Sequence, residues 1–538
     1  MSDAKARTGT PPWRGLAFVA LGVSMIMLDT TVVNVALPWM AFDLGFTTSD
    51  TQWVVAAYSL SFASFLIIAG RLADGLGRRK LFTIGALLFA FASAWIGLSG
   101  STASVVAGRF VQGIGAAIIM PSSLSLINAT FTGRDRARAF ALWGGTIGGM
   151  AAVGPVVGGW LTAYQTWHWA FFLNVPLSIV VMYGVASQMP ESHDVHLQPG
   201  YDFGGMVLSS LGLSGIVFAL IEGQRFGWVK QIADFGAAGF TWSKGSPAVS
   251  LIAALVGVFA IAAFLSLEIR RHRAGLPVLL RTDLFAINSF RNGNIVAVIV
   301  SLGEFGLLYV LPLFVQGTLG YDPLQTGVLM LALAAGSFLT SGASTHMSER
   351  MGAVRVLRIG MALEAVAIAG IGLVLTTHST RASLAPWIFV YGLGIGFATA
   401  QLTGVILRDV PREVSGQASA IQSTSRQMGA AVGTAILGTM LASTTNTALL
   451  PRLADLNVVA AKAHEYADFV TDTAGQLIQF LILQPNGKAI VDAAHEAFAS
   501  GTRAVSALAT AFVLLGLFAS FRLRESAHDG AHAPSHAE

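Results

Sequence analysis

The sequence predicts an all-α integral membrane protein with about fourteen transmembrane helices. Three observations carry that expectation. Of 538 residues, 54% are hydrophobic and only 11% charged, whereas a soluble domain carries about 25% charged residues. Mean hydropathy is +0.66, too apolar for two or three soluble domains to cover themselves with polar surface. Apolar runs near the roughly 20 residues that cross a bilayer as a helix recur along the chain.

The runs lie at 14–38, 52–70, 81–99, 104–128, 138–163 and 168–188, then 203–222 and 248–268, then 291–316, 325–346, 355–376, 384–407, 416–443 and 503–522. The first cannot be a signal peptide: Trp13 to Met40 is too long for an h-region and has no clean small-residue cleavage site. Most of the 32 Lys and Arg fall in alternate connections: Lys5 to Arg14, Arg71 to Lys80, Arg134 to Arg138, Arg270 to Arg281, Arg350 to Arg358, Arg408 to Arg412, and Arg522 with Arg524. The opposite short loops are almost free of positive charge, so the basic side is expected to be cytoplasmic, with both termini inside the cytoplasmic (inner) membrane. The net charge of +4 therefore reads as topology, and no nucleic-acid partner is expected. Two connections on the other side are long. Residues 223–247 carry Trp228, Phe235, Phe240 and Trp242 as interface anchors. Residues 444–502 read as a polar extracytoplasmic excursion with helical propensity, and its apolar stretch Gly475–Leu483 is too short to span.

The chain also repeats itself at an offset of about 275–281 residues. Gly70–Lys80 corresponds to Thr345–Arg355, with Gly77 opposite Gly352 and Asp74 opposite Glu349. Gly113-Ile114-Gly115 corresponds to Gly394-Ile395-Gly396, Ala151–Gly154 to Ala430–Gly433, and Pro38 to Pro312. The common order predicts a parallel duplication of a six-helix unit, with two further helices inserted between the copies. The expected organisation is a tail (1–13), an N-terminal bundle (14–190), a linker with the two inserted helices (191–280), a C-terminal bundle (281–522) with the 444–502 loop, and a tail (523–538). Such a duplication places the substrate site between the bundles near the membrane midplane, with alternating access by rocking of one against the other.

Five stretches match one family. Gly70-Arg71-Leu72-Ala73-Asp74-Gly75-Leu76-Gly77-Arg78-Arg79-Lys80 resembles the signature loop of the major facilitator superfamily. Leu28-Asp29-Thr30-Thr31-Val32-Val33-Asn34-Val35-Ala36-Leu37-Pro38 resembles the first-helix motif of its fourteen-helix drug:proton antiporters. Arg109–Gly115 resembles the fourth-helix motif, Gly149–Gly159 the fifth-helix antiporter motif, and Trp167–Pro176 the stretch after it. The chain is thus identified as similar to the EmrB/QacA-like branch. The resemblance implies the major facilitator fold, two six-helix bundles plus two central helices.

The charged residues inside spans are the candidate site. Asp29 lies mid-span, where a lipid-facing carboxylate is expensive, so it is expected to face a cavity or a partner and to load and release a proton. A local bond to Thr30 or Asn34 is the structural alternative. Glu304 lies eight residues before Pro312 as Asp29 lies nine before Pro38, which puts one carboxylate at similar depth in each half. For Arg109 the resemblance implies coupling of protonation to movement. Glu364, on the third helix of its half, reads more as a packing partner, and Arg426 as a buried cation without a motif role. Asn34, Tyr58, Gln112, Glu364 and Arg426 are the further candidates for the cavity. Glu222 and Glu268, at span ends, read as interfacial.

Gly70, Asp74, Gly77, Arg78 and Arg79 are expected to form a conformational latch. The second copy has Ala353 and Val354 opposite the two arginines, which argues against a symmetric one. Gly154, Pro155, Gly158 and Gly159 close a glycine-rich helix that packs tightly, and the resemblance implies that its bend seals against leak.

The absences narrow the class. There are no cysteines, so disulfides and thiolate metal sites are excluded. No Walker sequence follows the glycines, the histidines lack metal spacing, and no polar catalytic cluster appears. The expectation is a transporter rather than an enzyme, with no catalytic residue, metal or cofactor, and with the proton gradient as energy source. The resemblance implies proton-coupled export of lipophilic or cationic drugs or antibiotics. The alternative is a same-fold exporter of one endogenous metabolite, lipid or siderophore. The partners are small-molecule substrates, protons and the bilayer, and an accessory periplasmic protein on the 444–502 loop stays open.

Overall fold

The computed structural model describes residues 12–45, 48–193, 200, 202–237, 240–411 and 414–524. The tails expected at 1–13 and 523–538 fall almost wholly outside the described residues. Helices account for nearly all of what is described. The first half comprises α1 (Trp13–Leu44), α2 (Thr48–Leu76), α3 (Arg78–Gly97), α4 (Thr102–Thr130), α5 (Gly133–Tyr164), the single turn α6 (Trp169–Phe172) and α7 (Asn174–Gln188). Next come α8 (Phe203–Phe226) and α9 (Val249–Arg273). The second half comprises α10 (Asn288–Gly317), α11 (Pro323–Met351), α12 (Ala353–Val374), α13 (Arg381–Leu407), α14 (Ser415–Asp455), α15 (Ala460–Asp472) and α16 (Gly487–Ser520). Among the described residues, twelve helices are long and apolar enough to cross a membrane, and thirteen if α11, bent by 46°, counts as one span. The 32-residue α5 supplies the length for one more, so the fourteen expected from sequence roughly agree.

Helix boundaries follow from local chemistry. Asp202 caps α8 by accepting from the Gly205 amide at 2.8 Å, and Asp322 caps α11 by accepting from Gln325 at 2.6 Å. Thr380 and Ser383 form a reciprocal capping box on α13. Gly77 (φ +105°) and Gly352 (φ +88°) start α3 and α12 in a backbone region that disfavours a side chain. These two glycines occupy matching places in the repeat, so the duplication preserves an unusual turn and not merely a residue.

Within the first half α2 and α3 pack on α4, and α1 packs on α5 and α7. In the second half α10 packs on α14 and α16, and α12 on α13 and α16. The halves meet where α5 lies along α11 and α13, and where α14 lies against α2 and α4. The inserted α8 rests on α9, α2 and α14, with Ser214 Oγ 2.6 Å from Ser64 Oγ. Outward-facing residues such as Phe91, Phe259, Leu373 and Phe518 are 60–83% exposed, which suits a hydrocarbon solvent.

One face of the bundle gathers the basic connections: Arg78 reaches Ser192, Arg138 reaches Glu349, and Arg358 donates to the carbonyls of Ser520 and Leu523. On the opposite face, residues 223–247 contain a two-stranded hairpin, β1 (Phe235–Ala237) and β2 (Phe240–Trp242), pairing Phe235 with Trp242. The Phe235 ring stands edge-on to Phe226 at 5.2 Å. The 444–502 segment is less of a loop than its polarity suggests. α14 runs on to Asp455 and α16 begins at Gly487, because the segment keeps helical periodicity beyond the apolar run. Residues 478–483 form a 3-10 turn that buries Ile478 and Leu481 and leaves Phe480 and Leu483 exposed.

Glu222 and Glu268 lie near the ends of α8 and α9 and are 1% and 0% exposed. Glu268 accepts from the amides of Leu279 and Leu280, both at 3.0 Å, so a turning chain supplies the donors that water would have given.

Candidate functional site

The N-terminal half holds a fully buried ion pair. Asp29, midway along α1, is 0% exposed and Arg109 on α4 is 2% exposed. Arg109 Nη1 donates to Asp29 Oδ2 at 2.7 Å. Two amides complete the carboxylate: Gln112 Nε2 at 2.8 Å and Asn174 Nδ2 at 2.7 Å, both to Oδ1. The guanidinium has further acceptors: Nε donates to the Val54 carbonyl at 3.1 Å and Nη1 also to Gln112 Oε1 at 2.6 Å. The Tyr58 ring lies under it, 4.3 Å from Cζ, a cation–π contact. Ser93 on α3 accepts from Gln112 at 2.9 Å. Residues of five helices thus converge around one carboxylate. A buried pair is tolerable only when its remaining hydrogen-bonding capacity is met like this.

Most of that site comes from residues singled out in the sequence. Asn174 and Ser93 do not; Asn174 sits in the Trp167–Pro176 stretch, which resembled the family only as a block. The Asn34 side chain lies outside the described residues.

The C-terminal half holds a looser counterpart. Arg426 on α14 donates to Glu304 on α10 through Nη2, at 3.2 Å to Oε2 and 3.5 Å to Oε1. The side chains are 13% and 6% exposed, so this pair lies nearer to open space. Glu364 on α12 is 0% exposed.

The turn joining α2 to α3 makes a contact between halves. Asp74 Oδ1 accepts from Gly416 N at 2.8 Å and Oδ2 from Gln417 N at 2.9 Å. A carboxylate of α2 thereby caps the N-terminus of α14, where free amides and the helix dipole favour negative charge. Arg78 completes Asp74 at 3.0 Å. Gly70 makes the approach possible: a Cβ there would meet the Gly416 carbonyl at 2.6 Å. Arg79 does not cross the halves; its guanidinium donates to the carbonyls of Ala186 and Met189, and its amide to Glu191. The corresponding Glu349 meets Arg138 at 3.5 Å and Arg134 at 3.9 Å, exposed contacts without a helix cap.

In α5, a Cβ on Gly154 would overlap the Thr31 side chain, so α1 and α5 touch backbone to side chain there. Gly158 and Gly159 are buried, and a Cβ on Gly159 would sit 3.4 Å from the Leu324 backbone of α11. The side chain of Pro155 lies outside the described residues. Among the described residues, no group of three or more His, Cys, Asp or Glu is placed to hold a metal ion.

A bundle of spanning helices in two packed halves, with a buried ion pair inside each, is the architecture of a secondary transporter. The family model described as Major Facilitator Superfamily matches residues 19–434, and the chain belongs to that family. It is therefore a multi-pass membrane transporter of small molecules and not an enzyme. It is similar to the tetracenomycin C resistance and export protein of Streptomyces glaucescens, 31% identical over 85% of this chain and 81% of that protein. It is also similar to the multidrug efflux pump LfrA of Mycolicibacterium smegmatis, 30% identical over 95% of this chain and 96% of that one. The crystal structure of the human organic anion transporter MFSD10 (TETRAN) shares the fold, with TM-score 0.59 at 14% identity, covering 95% of this chain and 100% of that chain.

Proposed function

We propose that the chain is a proton-coupled antiporter of the fourteen-helix drug-exporting branch, moving lipophilic or cationic drugs or antibiotics out across the cytoplasmic membrane by alternating access. The names of the export and efflux relatives support the substrate class. The asymmetric run of basic connections supports cytoplasmic termini.

The observation that carries proton coupling is the pair of buried carboxylate–arginine centres, one in each half. Asp29 is held by Arg109, Gln112 and Asn174. A proton arriving there removes the charge that Arg109 answers. The guanidinium then keeps only Val54, Gln112 and the Tyr58 ring, and the helices that supply them are free to shift. At Glu304 the sequence of events is the same with Arg426 as partner, in a setting nearer to the inter-half space. The Asp74 cap on α14 clamps the basic face in the conformation seen here. Releasing it separates α2 from α14 and opens the substrate path to that side.

The test is efflux from proteoliposomes across a panel of dyes and antibiotics with an imposed pH gradient. Wild type is expected to move several unrelated compounds in proportion to the gradient. Asp29→Asn and Glu304→Gln are expected to bind substrate but lose gradient-driven accumulation. Full proton-coupled transport in both variants would sink this assignment.

A further inference from the structure

Glu364 takes no part in the ion pairs above, yet its surroundings are unusual. It is 0% exposed, and neither carboxylate oxygen has a hydrogen-bond partner. Its stem fills the groove left by Gly394 on α13, where a Cβ would stand 2.6 Å from Glu364 Cγ. The ionisable groups acting on it are Glu304 from α10 and Arg426 from α14. Tyr391, one turn from Gly394 on α13, is wholly buried as well, but its hydroxyl already donates to the Glu304 backbone carbonyl at 3.0 Å. Among the described residues, no donor reaches Glu364.

A carboxylate without a donor or a cation in a hydrocarbon-bounded interior is far costlier than the neutral acid. The cluster also has two acids to one cation: Arg426 faces Glu304 and cannot neutralise both. We infer that Glu364 is a proton-carrying carboxyl of the C-terminal half, held as the neutral acid while Arg426 pairs with Glu304. This deepens the antiport reading and rests on it for its use in transport. When Glu364 loses its proton to water, two carboxylates share one guanidinium and the cluster carries one net negative charge. A substrate cation entering the space beside Glu304 restores neutrality. A proton returning to Glu364 removes the charge and expels the cation. One positive charge replaces another, so the exchange is balanced.

The test is infrared difference spectroscopy of the full-length chain in lipid vesicles, following the C=O stretch of protonated carboxyls. The wild-type minus Glu364→Gln difference is expected to contain a protonated-carboxyl band, and the wild-type minus Glu304→Gln difference is not. Glu364→Asp, which keeps the acid, is expected to shift the band rather than remove it, and so guards against a misfolded glutamine variant. A band that survives in Glu364→Gln, or that vanishes in Glu304→Gln instead, overturns the assignment. A second arm measures protons released when tetraphenylphosphonium binds in weak buffer. Release is expected in wild type; Glu364→Gln is expected to bind the cation more weakly and to release no proton, and release kept in Glu364→Gln overturns the assignment. Absence of release from wild type, with the infrared band assigned to Glu364, would instead overturn the antiport reading and leave the resident proton standing.

Discussion

Each half buries a carboxylate beside an arginine but surrounds it differently. In the N-terminal half, one acid meets one arginine and two amides at 2.7–2.8 Å, and the arginine spends its other donors on a carbonyl and an amide oxygen. In the C-terminal half the arginine sits 3.2 Å from its acid, the pair has some exposure, and a second acid stands by without a donor. Duplication preserved turn geometry while the partner sets diverged. The first centre surrounds its carboxylate with donors, and the second leaves one acid without any.

The comparison breaks most sharply at the arginines. Arg109→Ala leaves a buried carboxylate with two amide donors and no cation, which is expected to cost about 3–5 kcal/mol. Arg426→Ala is expected to cost clearly less, because its ion pair is longer and less enclosed than that of Arg109. Thermal unfolding in detergent measures both, and equal losses would erase the distinction. Next in size is Asn174→Ala, expected to cost about 1–3 kcal/mol for a donor removed from a buried ionised group, with transport reduced across all substrates alike. Asp74→Asn removes the charge at the α14 cap and is expected to cost about 1 kcal/mol of the clamped conformation. The chain has no cysteines, so a single cysteine in place of Ser415, which is buried at the same contact against Ser125, reports the opening by labelling without background. The smallest effect is expected for Glu349→Ala, under about 1 kcal/mol for exposed pairs, with labelling at 415 unchanged. A large effect there would mean that both copies of the loop latch.

The fold was legible because apolar length and loop charge are coarse signals that survive any packing. Asp29, Arg109, Glu304 and Glu364 were legible one at a time, since an ionisable group inside an apolar run stands out. Their pairing was not, because it depends on the rotation of helices from distant parts of the chain. Glu364 shows the limit: position alone suggests packing, and only the missing donors reveal a strained acid. Asn174 lay hidden among ordinary polar residues at a helix start. Gly416 and Gln417 were invisible for a different reason: they contribute backbone amides, and any residue type supplies those. The helical propensity of 444–502 is legible in the sequence, but not that α14 continues unbroken into it, because a polar helix supported by α15 and α16 needs no apolar run.

That extension has a mechanical consequence. A helix of 41 residues measures roughly 60 Å, about twice the hydrocarbon thickness. Its root is fastened by Asp74, and its tip stands beyond the opposite face, braced by α15 and by Glu496 through Arg452. A domain rotation on the order of 15° about the root would swing the tip through roughly 15 Å, so α14 acts as a pointer that amplifies a small tilt inside the membrane into a large excursion in water.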